Sequence, residues 1–335
     1  MRLVLLAFLL VELISCQTRD DREVVVYSAL DRTFSEPVLQ RFEKETGVRV
    51  RAVYDVEATK TVGLVNRVIS EAENPRCDVF WNNEVVRTIV LKRRGLLERY
   101  TSPNADDVPP AMKDPEGFWT GFAARARILI YNKALVADHD LPSSIADLVE
   151  ERWRGKVSMA YPLFGTTATH AAALFAVLGA DSARAYFARL RENEIVIVDG
   201  NASSKDAVAR GEVLVGFTDT DDALVAMDQG KPVGIVFPDQ GEGELGTLVI
   251  PNTVALVQGC PHPKEARLLV DFLLQRETEE ELARSGSGQI PVRPGIQVPA
   301  GVRTMENLKA MRADWNQVED EVDDSARYLE RLFIR

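Results

Sequence analysis

Short apolar runs alternate with amphipathic segments along most of the chain. In the first third, apolar runs at Glu23–Tyr27, Val48–Tyr54 and Asp78–Trp81 predict buried strands. The segment Thr59–Glu73 carries apolar residues at helical spacing, which predicts an amphipathic helix. Strands that alternate with helices at this spacing favour an α/β fold with a largely parallel sheet.

The same alternation recurs in the second half of the chain. Strands are predicted at Val157–Tyr161, Ile195–Asp199 and Val213–Val215, each followed by a helical segment. A chain of 335 residues is long enough to form two units with separate hydrophobic cores. We therefore expect two α/β lobes, and in such folds ligands bind at the edge where the strands end.

The stretch Gly216–Asp222 is the most distinctive of these strand ends. A predicted strand precedes it, a helix is predicted at Ala223–Gln229, and the joint holds Asp219, Thr220 and Asp221. One or two such side chains suit a helix N-cap and the positive end of the helix dipole. An EF-hand calcium loop does not fit, because its required Gly and Glu positions hold other residues. We expect this loop to form one wall of a small-ligand cleft.

Polar residues also follow the predicted strands of the first half. Ser28 and Asp31 come after the first strand, and Asn83 and Glu84 come after the third. Because the carboxyl ends of parallel strands meet at one edge of a sheet, we expect these residues to form the opposite wall of the cleft.

Two further groups have the chemistry of an anion site. Thr166 and Thr167 follow Gly165 at a predicted helix start, where backbone amides and hydroxyls can hold an anion. Arg125 and Arg127 lie on one face of a predicted strand, and guanidinium groups can bind an anion through bidentate hydrogen bonds. The alternatives are an ordinary threonine cap and solvated charges on a strand face.

The first residues have the pattern of a secretory signal. Arg2 precedes the apolar run Leu3–Val11, which is too short to span a bilayer as a helix. The segment 1–16 ends in Leu-Ile-Ser-Cys and resembles a bacterial lipobox, which implies that Cys16 becomes the lipidated first residue of the mature chain. The polar residues 17–22 would then form a tether. The alternative is an ordinary signal peptide with an incidental cysteine.

The cysteines that remain after Cys16 are Cys77 and Cys260. A disulfide between them is permitted in an exported protein. Whether it forms stays open, since the sequence does not show that the two residues are close in space.

Charge and motif content argue against two classes of function. The formal net charge of −11 disfavours nucleic acid as a partner, because nucleic acids bind to basic surfaces. The three histidines lie in unrelated contexts, and the sequence has no serine-nucleophile elbow, zinc-protease motif or P-loop lysine. We therefore do not expect an enzyme, and we expect no enzyme cofactor.

Short motifs in a fixed order connect the chain to a known family. They are Val25–Ser28, Phe42–Val48, Asp78–Trp81, Gly95–Leu97, Arg125–Arg127 with Tyr131–Asn132, Trp153–Lys156 and Val270–Leu273. Together they resemble the periplasmic solute-binding proteins of the ferric-binding family. The resemblance implies a two-lobed periplasmic-binding-protein fold of a type II-like kind, each lobe a mainly parallel sheet flanked by helices. The N-terminal lobe would comprise 23–120 and about 245–295, and the C-terminal lobe about 121–244 and 296–335.

The resemblance also implies a ligand set. Ferric binders of this family hold iron with two adjacent tyrosines after the central strand, often with a histidine and a glutamate from the first lobe. Here the tyrosine positions fall on Thr220 and Asp221, the histidine position near Asp31, and the glutamate position near Asn83, with Glu84 next to it. The phenolate pair is absent, but carboxylates are hard oxygen ligands that suit hard cations. A metal site built on Asp31 and Asp221 is therefore one expectation.

Two cargo classes stay open. The first is ferric iron or another hard metal ion or complex, as a transported ligand and not a cofactor. The second is a phosphorylated or phosphonate solute, which some relatives carry and which Thr166, Thr167 and the arginine pair would suit. In either case we expect a monomer that captures its ligand by hinge closure and delivers it to an ABC-importer permease and its ATPase. The expected location is the periplasm or cell envelope, with the membrane reached only through Cys16.

Overall fold

The structure is a computed structural model that describes residues 22–55 and 62–334. The expectations for the signal segment 1–16, for Cys16 and for the tether up to residue 21 lie outside the described residues. Within the two described ranges, no helix combines the length and the apolar character needed to cross a membrane.

Strands and helices alternate in the first part of the chain, as the sequence pattern predicts. The elements are β1 (Glu23–Ser28), α1 (Arg32–Thr46), β2 (Arg49–Tyr54), α2 (Val62–Ser70), β3 (Val79–Asn82), α3 (Val85–Arg93) and the short β4 (Leu97–Glu98). Helix α1 ends because Gly47 takes a left-handed conformation, with φ of 71°, and its N–H donates to the carbonyl of Glu43. All residues of β3 are buried, which agrees with the strand predicted there.

A long strand leads into the second part of the chain. Strand β5 (Thr120–Asn132) is buried along its whole length. The elements after it are β6 (Val157–Ala160), α4 (Gly165–Leu178), α5 (Ala180–Glu192), β7 (Val196–Val198), α6 (Asn201–Ala209), β8 (Val215–Asp219), α7 (Thr220–Asp228) and β9 (Val233–Val236). The chain continues with β10 (Val249–Val257), α8 (Pro263–Leu273), α9 (Arg276–Arg284), α10 (Trp315–Asp320) and α11 (Val322–Phe333).

The strands form a mixed sheet in the order β2-β1-β3-β10-β5-β8-β6-β7, with β4 added to β10 and β9 added to β5. Pairing is parallel among β2, β1 and β3, which with β4 and β10 form the first lobe. Pairing is also parallel among β8, β6 and β7, which with β9 form the second lobe. The centre of the sheet is antiparallel, because β10 returns to the first lobe after the chain has built the second.

Strand β5 joins the two lobes by changing partners along its length. Its residues up to Ala126 pair with β10, and those from Arg127 onwards pair with β8 and β9. Arg125 and Arg127 therefore lie at the boundary between the lobes, near the strand ends of both. The division of the chain into lobes at particular residue numbers stays a prediction.

The two cysteines in the described residues, Cys77 and Cys260, are buried free thiols. The disulfide that the sequence left open is not formed in this structure. Burial raises the pKa of Cys77 well above its usual value and that of Cys260 to about 11. The Cys77 thiol donates to the carbonyl of Val79 at 3.2 Å, so it is held within the first lobe.

Candidate functional site

A cavity of about 480 Å³ lies between the lobes, beside the point where β5 changes partners. Asp31 and Asn83, which follow β1 and β3, contribute one wall, and the helix starts of α4, α6 and α7 contribute the other. The expected ligand-binding residues all line the cavity, except Ser28, Glu84, Thr220 and the second arginine of the pair, Arg127. The lining residues are Asp31, Asn83, Arg125, Ala160, Tyr161, Phe164, Gly165, Thr166, Thr167, Asp199, Gly200, Asn201, Ala202, Ser203, Asp219, Asp221 and Asp222.

Three carboxylates lie together where β8 turns into α7. Oxygen atoms of Asp219, Asp221 and Asp222 are all within 4.8 Å of one another. Carboxylates at this separation repel each other when ionised. The group therefore depends on nearby positive charge, which can come from arginine or from a bound cation.

Asp219 is the most firmly held member of this group. Arg127 Nη1 donates to its Oδ1 at 2.8 Å, and Thr166 Oγ1 and Asn201 Nδ2 donate to its Oδ2 at 2.6 and 3.0 Å. Burial opposes ionisation of Asp219, but the charges of Arg127 and Arg125 outweigh it and lower its pKa. Asp219 is therefore ionised and anchored by the protein itself.

Arg125 connects the two walls of the cavity. Its Nη1 donates to Asp221 Oδ2 at 3.2 Å and lies 3.7 Å from Asp219 Oδ2. Its Nη2 donates to the backbone carbonyl of Asn83 in the first lobe at 3.2 Å. Burial disfavours the charged guanidinium, but the surrounding carboxylates, Asp221 above all, raise the pKa of Arg125.

The starts of α4 and α6 give the cavity an electropositive side. The residues before these helices, Phe164 and Gly200, provide no side-chain cap. The first N–H groups of a helix have no partner within the helix, and together with the helix dipole they attract anions. Since Gly165 and Asn201 line the cavity, these two helix starts are placed to hold an anion.

Three expected residues serve the fold instead. Glu84 is buried and caps α3, because its carboxylate accepts from the N–H groups of Val86 and Arg87. Thr220 Oγ1 accepts from the N–H of Ala126 at 3.2 Å and so ties α7 to β5. Ser28 is fully buried and donates to the carbonyl of Leu30 at 3.3 Å. Because the three side chains make these contacts, they stabilise the fold and do not line the cavity.

Sequence reasoning missed Asn201, which is central to the second-lobe wall. Its amide bonds to Thr166 and Asp219, and its Oδ1 accepts from Arg127 and Thr167. The helical segment predicted after the strand Ile195–Asp199 covers Ser203–Arg210, whereas α6 begins at Asn201. The polar sequence Asp199-Gly200-Asn201 at the end of a predicted strand could have indicated this site residue. The loop at the end of β8 was identified from the same arrangement.

His170 lies behind the acidic group and does not line the cavity. Its ring packs edge-on against Phe217, with the centroids 5.8 Å apart. Burial, with the charge of Arg127 as a second cause, lowers the pKa of His170 to about 3. The imidazole is therefore neutral at physiological pH.

Comparisons with known proteins agree with this architecture. The chain is 26% identical over 303 residues to iron uptake protein A1 of Synechocystis, with 87% of this chain and 81% of that protein covered. It is also 26% identical over 295 residues to a putative 2-aminoethylphosphonate-binding periplasmic protein of Salmonella typhimurium, with 86% and 84% covered. Iron-bound HitA from Pseudomonas aeruginosa superimposes with a TM-score of 0.83 at 21% identity, over 93% of this chain and 99% of that one.

The structural match confirms the two-lobed fold of periplasmic binding proteins that the resemblance implied. The model of the family described as bacterial extracellular solute-binding protein matches residues 38–310, which is most of the chain and includes every residue that lines the cavity except Asp31. The chain belongs to this family of bacterial extracellular solute-binding proteins.

Proposed function

We propose that the protein is the extracytoplasmic binding component of an ABC importer and that its cargo is a hard metal ion, with Fe³⁺ the favoured ion. The observation that carries this proposal is the group of carboxylates at Asp219, Asp221 and Asp222, with oxygens within 4.8 Å of one another. Carboxylate oxygens are hard ligands that hard cations prefer. A relative named as an iron uptake protein supports the same cargo.

Asp31 and Asp221 are the proposed direct ligands. Asp219 already accepts three hydrogen bonds, so its role is to orient the second-lobe wall and to add negative charge. An ion shared by Asp31 and Asp221 is held from both lobes, which couples binding to closure of the cleft. The cavity of about 480 Å³ exceeds the size of one ion, so water, at about 30 Å³ per molecule, or a small anion completes the coordination.

Native mass spectrometry with elemental analysis tests the cargo directly. The protein is purified from its host without chelators, together with an Asp31→Asn/Asp221→Asn variant. We expect stoichiometric iron on the wild-type protein and its loss from the variant, while a control carrying Asp228→Asn on the exposed end of α7 keeps the metal. Protein that carries no metal, and takes up none when titrated with ferric citrate, contradicts the metal proposal.

A phosphorylated or phosphonate solute is the second candidate. The observation in its favour is that α4 and α6 both begin at the cavity without side-chain caps, next to Arg125. A relative named for 2-aminoethylphosphonate supports this class. In the same mass spectra, a bound organic mass without metal would favour this candidate, and calorimetric titration with 2-aminoethylphosphonate and sugar phosphates would then identify the solute.

The cellular setting follows from the same proposal. We propose capture and delivery of the cargo without chemical turnover, by a monomer that hands the ligand to a membrane permease driven by an ATPase. We further propose that Cys16 carries the lipid anchor after signal cleavage and holds the protein at the membrane surface. The family's extracellular location agrees with this setting.

A further inference from the structure

The two arginines of β5 are held in different ways. Arg127 donates to Asp219 at 2.8 Å and to three other side chains, and it is not part of the cavity wall. Among the described residues, Arg125 lines the cavity and makes two hydrogen bonds, both 3.2 Å long. Arg127 is therefore fixed in the second lobe, whereas Arg125 makes fewer hydrogen bonds, and neither is as short as the one between Arg127 and Asp219.

Arg125 occupies the position in which a bound cation would be most stable. Its Nη1 lies 3.2 Å from Asp221 and 3.7 Å from Asp219, inside the group of carboxylates. Two positive charges a few ångströms apart in a partly buried site repel strongly. A metal ion bound to Asp221 must therefore displace the guanidinium or bind more weakly beside it.

Two buried polar atoms of the cavity wall have no hydrogen-bond partner within the described residues, and they favour opposite charges. Arg125 Nε is a donor that an oxyanion would satisfy. Asn83 Oδ1, on the first-lobe wall, is an acceptor that a cation or a donor group would satisfy. Since a buried polar atom without a partner costs free energy, a cargo that supplies one gains affinity.

On the premise that this cavity is the cargo site proposed above, we propose that Arg125 is the specificity-determining residue that sets the charge of the cargo. Its guanidinium neutralises Asp221 and bridges to the carbonyl of Asn83. A metal ion has to displace it from Asp221, whereas an oxyanion binds it together with the amides at the starts of α4 and α6. Arg125 thus lowers the affinity for cations and raises the affinity for anions.

Calorimetric titration of an Arg125→Gln variant tests this role with two probes, each measured alone. Tb³⁺ serves as a hard trivalent ion, and inorganic phosphate serves as the oxyanion. We expect the affinity for Tb³⁺ to rise by about tenfold, because a competing charge is removed, and the affinity for phosphate to fall by about tenfold. Arg125→Lys keeps the charge but loses the planar set of N–H donors, so it should bind Tb³⁺ more weakly than Arg125→Gln does and should bind phosphate more weakly than the wild type.

A rise in the Tb³⁺ affinity together with a fall in the phosphate affinity of Arg125→Gln supports the proposed role, because a damaged fold would lower both affinities. Arg127→Gln provides the matched comparison, since it removes an arginine from the same strand that acts through Asp219 and should weaken both probes together. Equal affinities in wild type and Arg125→Gln, or a change of both in one direction, overturn the role of Arg125. If the wild type binds neither probe, binding of Tb³⁺ by Arg125→Gln supports the role, and its absence overturns it.

Failure of the metal proposal gives a different pattern. In that case the wild-type protein binds phosphate but no metal and carries no iron from its host. Arg125→Gln would still lose phosphate affinity and gain affinity for Tb³⁺. The charge-setting role of Arg125 would then stand, and the cargo would be an anion.

Discussion

At the scale of single residues, we expect Asp221 to contribute more to binding than to folding. Its Oδ2 accepts from Arg125, and its Oδ1 accepts from the N–H of Asp222, the next residue. We expect Asp221→Asn to weaken binding of the proposed metal ion by about tenfold or more, because the amide keeps the shape of the side chain but loses its charge. Calorimetric titration with the metal measures the affinity, and a thermal melt measures the stability.

Asp228→Asn is the matched control for this change. Asp228 lies at the exposed end of the same helix, away from the cavity, so its substitution should leave the affinity unchanged. An unchanged affinity in Asp221→Asn would remove Asp221 from the site. A large loss of stability in that variant would mean that the carboxylate holds the fold, contrary to the expectation.

His170 makes a pH-dependent contribution to stability. Its pKa is about 3 in the folded protein, below the ordinary value of 6.5 in the unfolded chain, so the unfolded state binds a proton first as pH falls. Stability should therefore decline below pH 6.5, by up to roughly 1.4 kcal/mol per pH unit, until the folded pKa is reached. Between pH 7 and 5, we expect the free energy of unfolding of His170→Gln to fall by roughly 2 kcal/mol less than that of the wild type. Urea unfolding at each pH measures this difference.

The buried carboxyl groups of Glu84 and Glu279 have raised pKa values and change stability in the opposite direction as pH falls, so the contribution of His170 is read from the difference between wild type and variant. Asp219 has a lowered folded pKa, so its contribution is present above the ordinary aspartate value of 3.8 and is lost only as pH falls through the folded value. His139→Gln is the control, because His139 is exposed on the surface. If the free energy of unfolding depends on pH in the same way in wild type and His170→Gln, the buried imidazole does not cause the loss of stability.

At the scale of secondary-structure elements, the sequence predicts where functional side chains lie better than it predicts which way they turn. Glu84 and Asp219 both occupy N-cap positions at a strand-to-helix joint, Glu84 two residues past the end of β3 and Asp219 as the last residue of β8. Glu84 turns onto its own helix and accepts from two backbone N–H groups, whereas Asp219 makes no cap bond because Arg127 and Thr166 hold its carboxylate. That difference depends on side chains brought from distant parts of the chain, and local patterns contain no information about them.

The local nature of sequence patterns also explains which strand pairings of the sheet could be predicted. Alternation of strands and helices predicts the α/β class and the parallel outer strands, because each βα unit is local in sequence. The antiparallel pairing of β10 with β3 and β5 joins segments more than a hundred residues apart along the chain. Asn201 was missed for a smaller reason, since helix starts are uncertain by one or two residues.

The packing of α6 on β8 positions Asn201, and Gly216 permits that packing. A Cβ at Gly216 would lie 2.5 Å from Ser204 Oγ and 2.8 Å from Ser158 Oγ. We expect Gly216→Ala to push α6 outwards and to lower the free energy of unfolding by about 1–3 kcal/mol. Cargo affinity should fall as well, because α6 begins at Asn201. Chemical unfolding and calorimetry on the same preparation measure both effects.

A double variant separates the steric cause from a general loss of stability. Ser204→Ala removes the nearest clashing atom, although it also removes the hydrogen bond of 2.8 Å between Ser204 and Ser158. Added to Gly216→Ala, it should restore part of the stability and of the affinity. If the losses of unfolding free energy in the two single variants simply add in the double variant, the two positions are not coupled through this contact.

At the scale of the whole molecule, the structure has contacts across the cleft as well as through the connecting strand. Arg125 of the connecting strand donates to the carbonyl of Asn83 on the first-lobe wall. Helix α10 contacts both α3 and α4 on the outside of this boundary. Residues that serve the fold and residues that line the cavity therefore share one boundary, and we expect closure of the lobes to be coupled to binding.

The remaining whole-molecule prediction concerns attachment to the membrane through Cys16, in the segment outside the described residues. The proposed attachment is a lipid on the Cys16 side chain. Each buried CH₂ of an acyl chain contributes about 0.8 kcal/mol, and stable anchoring needs more than one chain. We expect Cys16→Ser to move the protein from the membrane fraction to the soluble fraction, whereas Thr18→Ala in the tether should stay with the membrane. A Cys16→Ser protein that still sediments with membranes would contradict the lipid anchor.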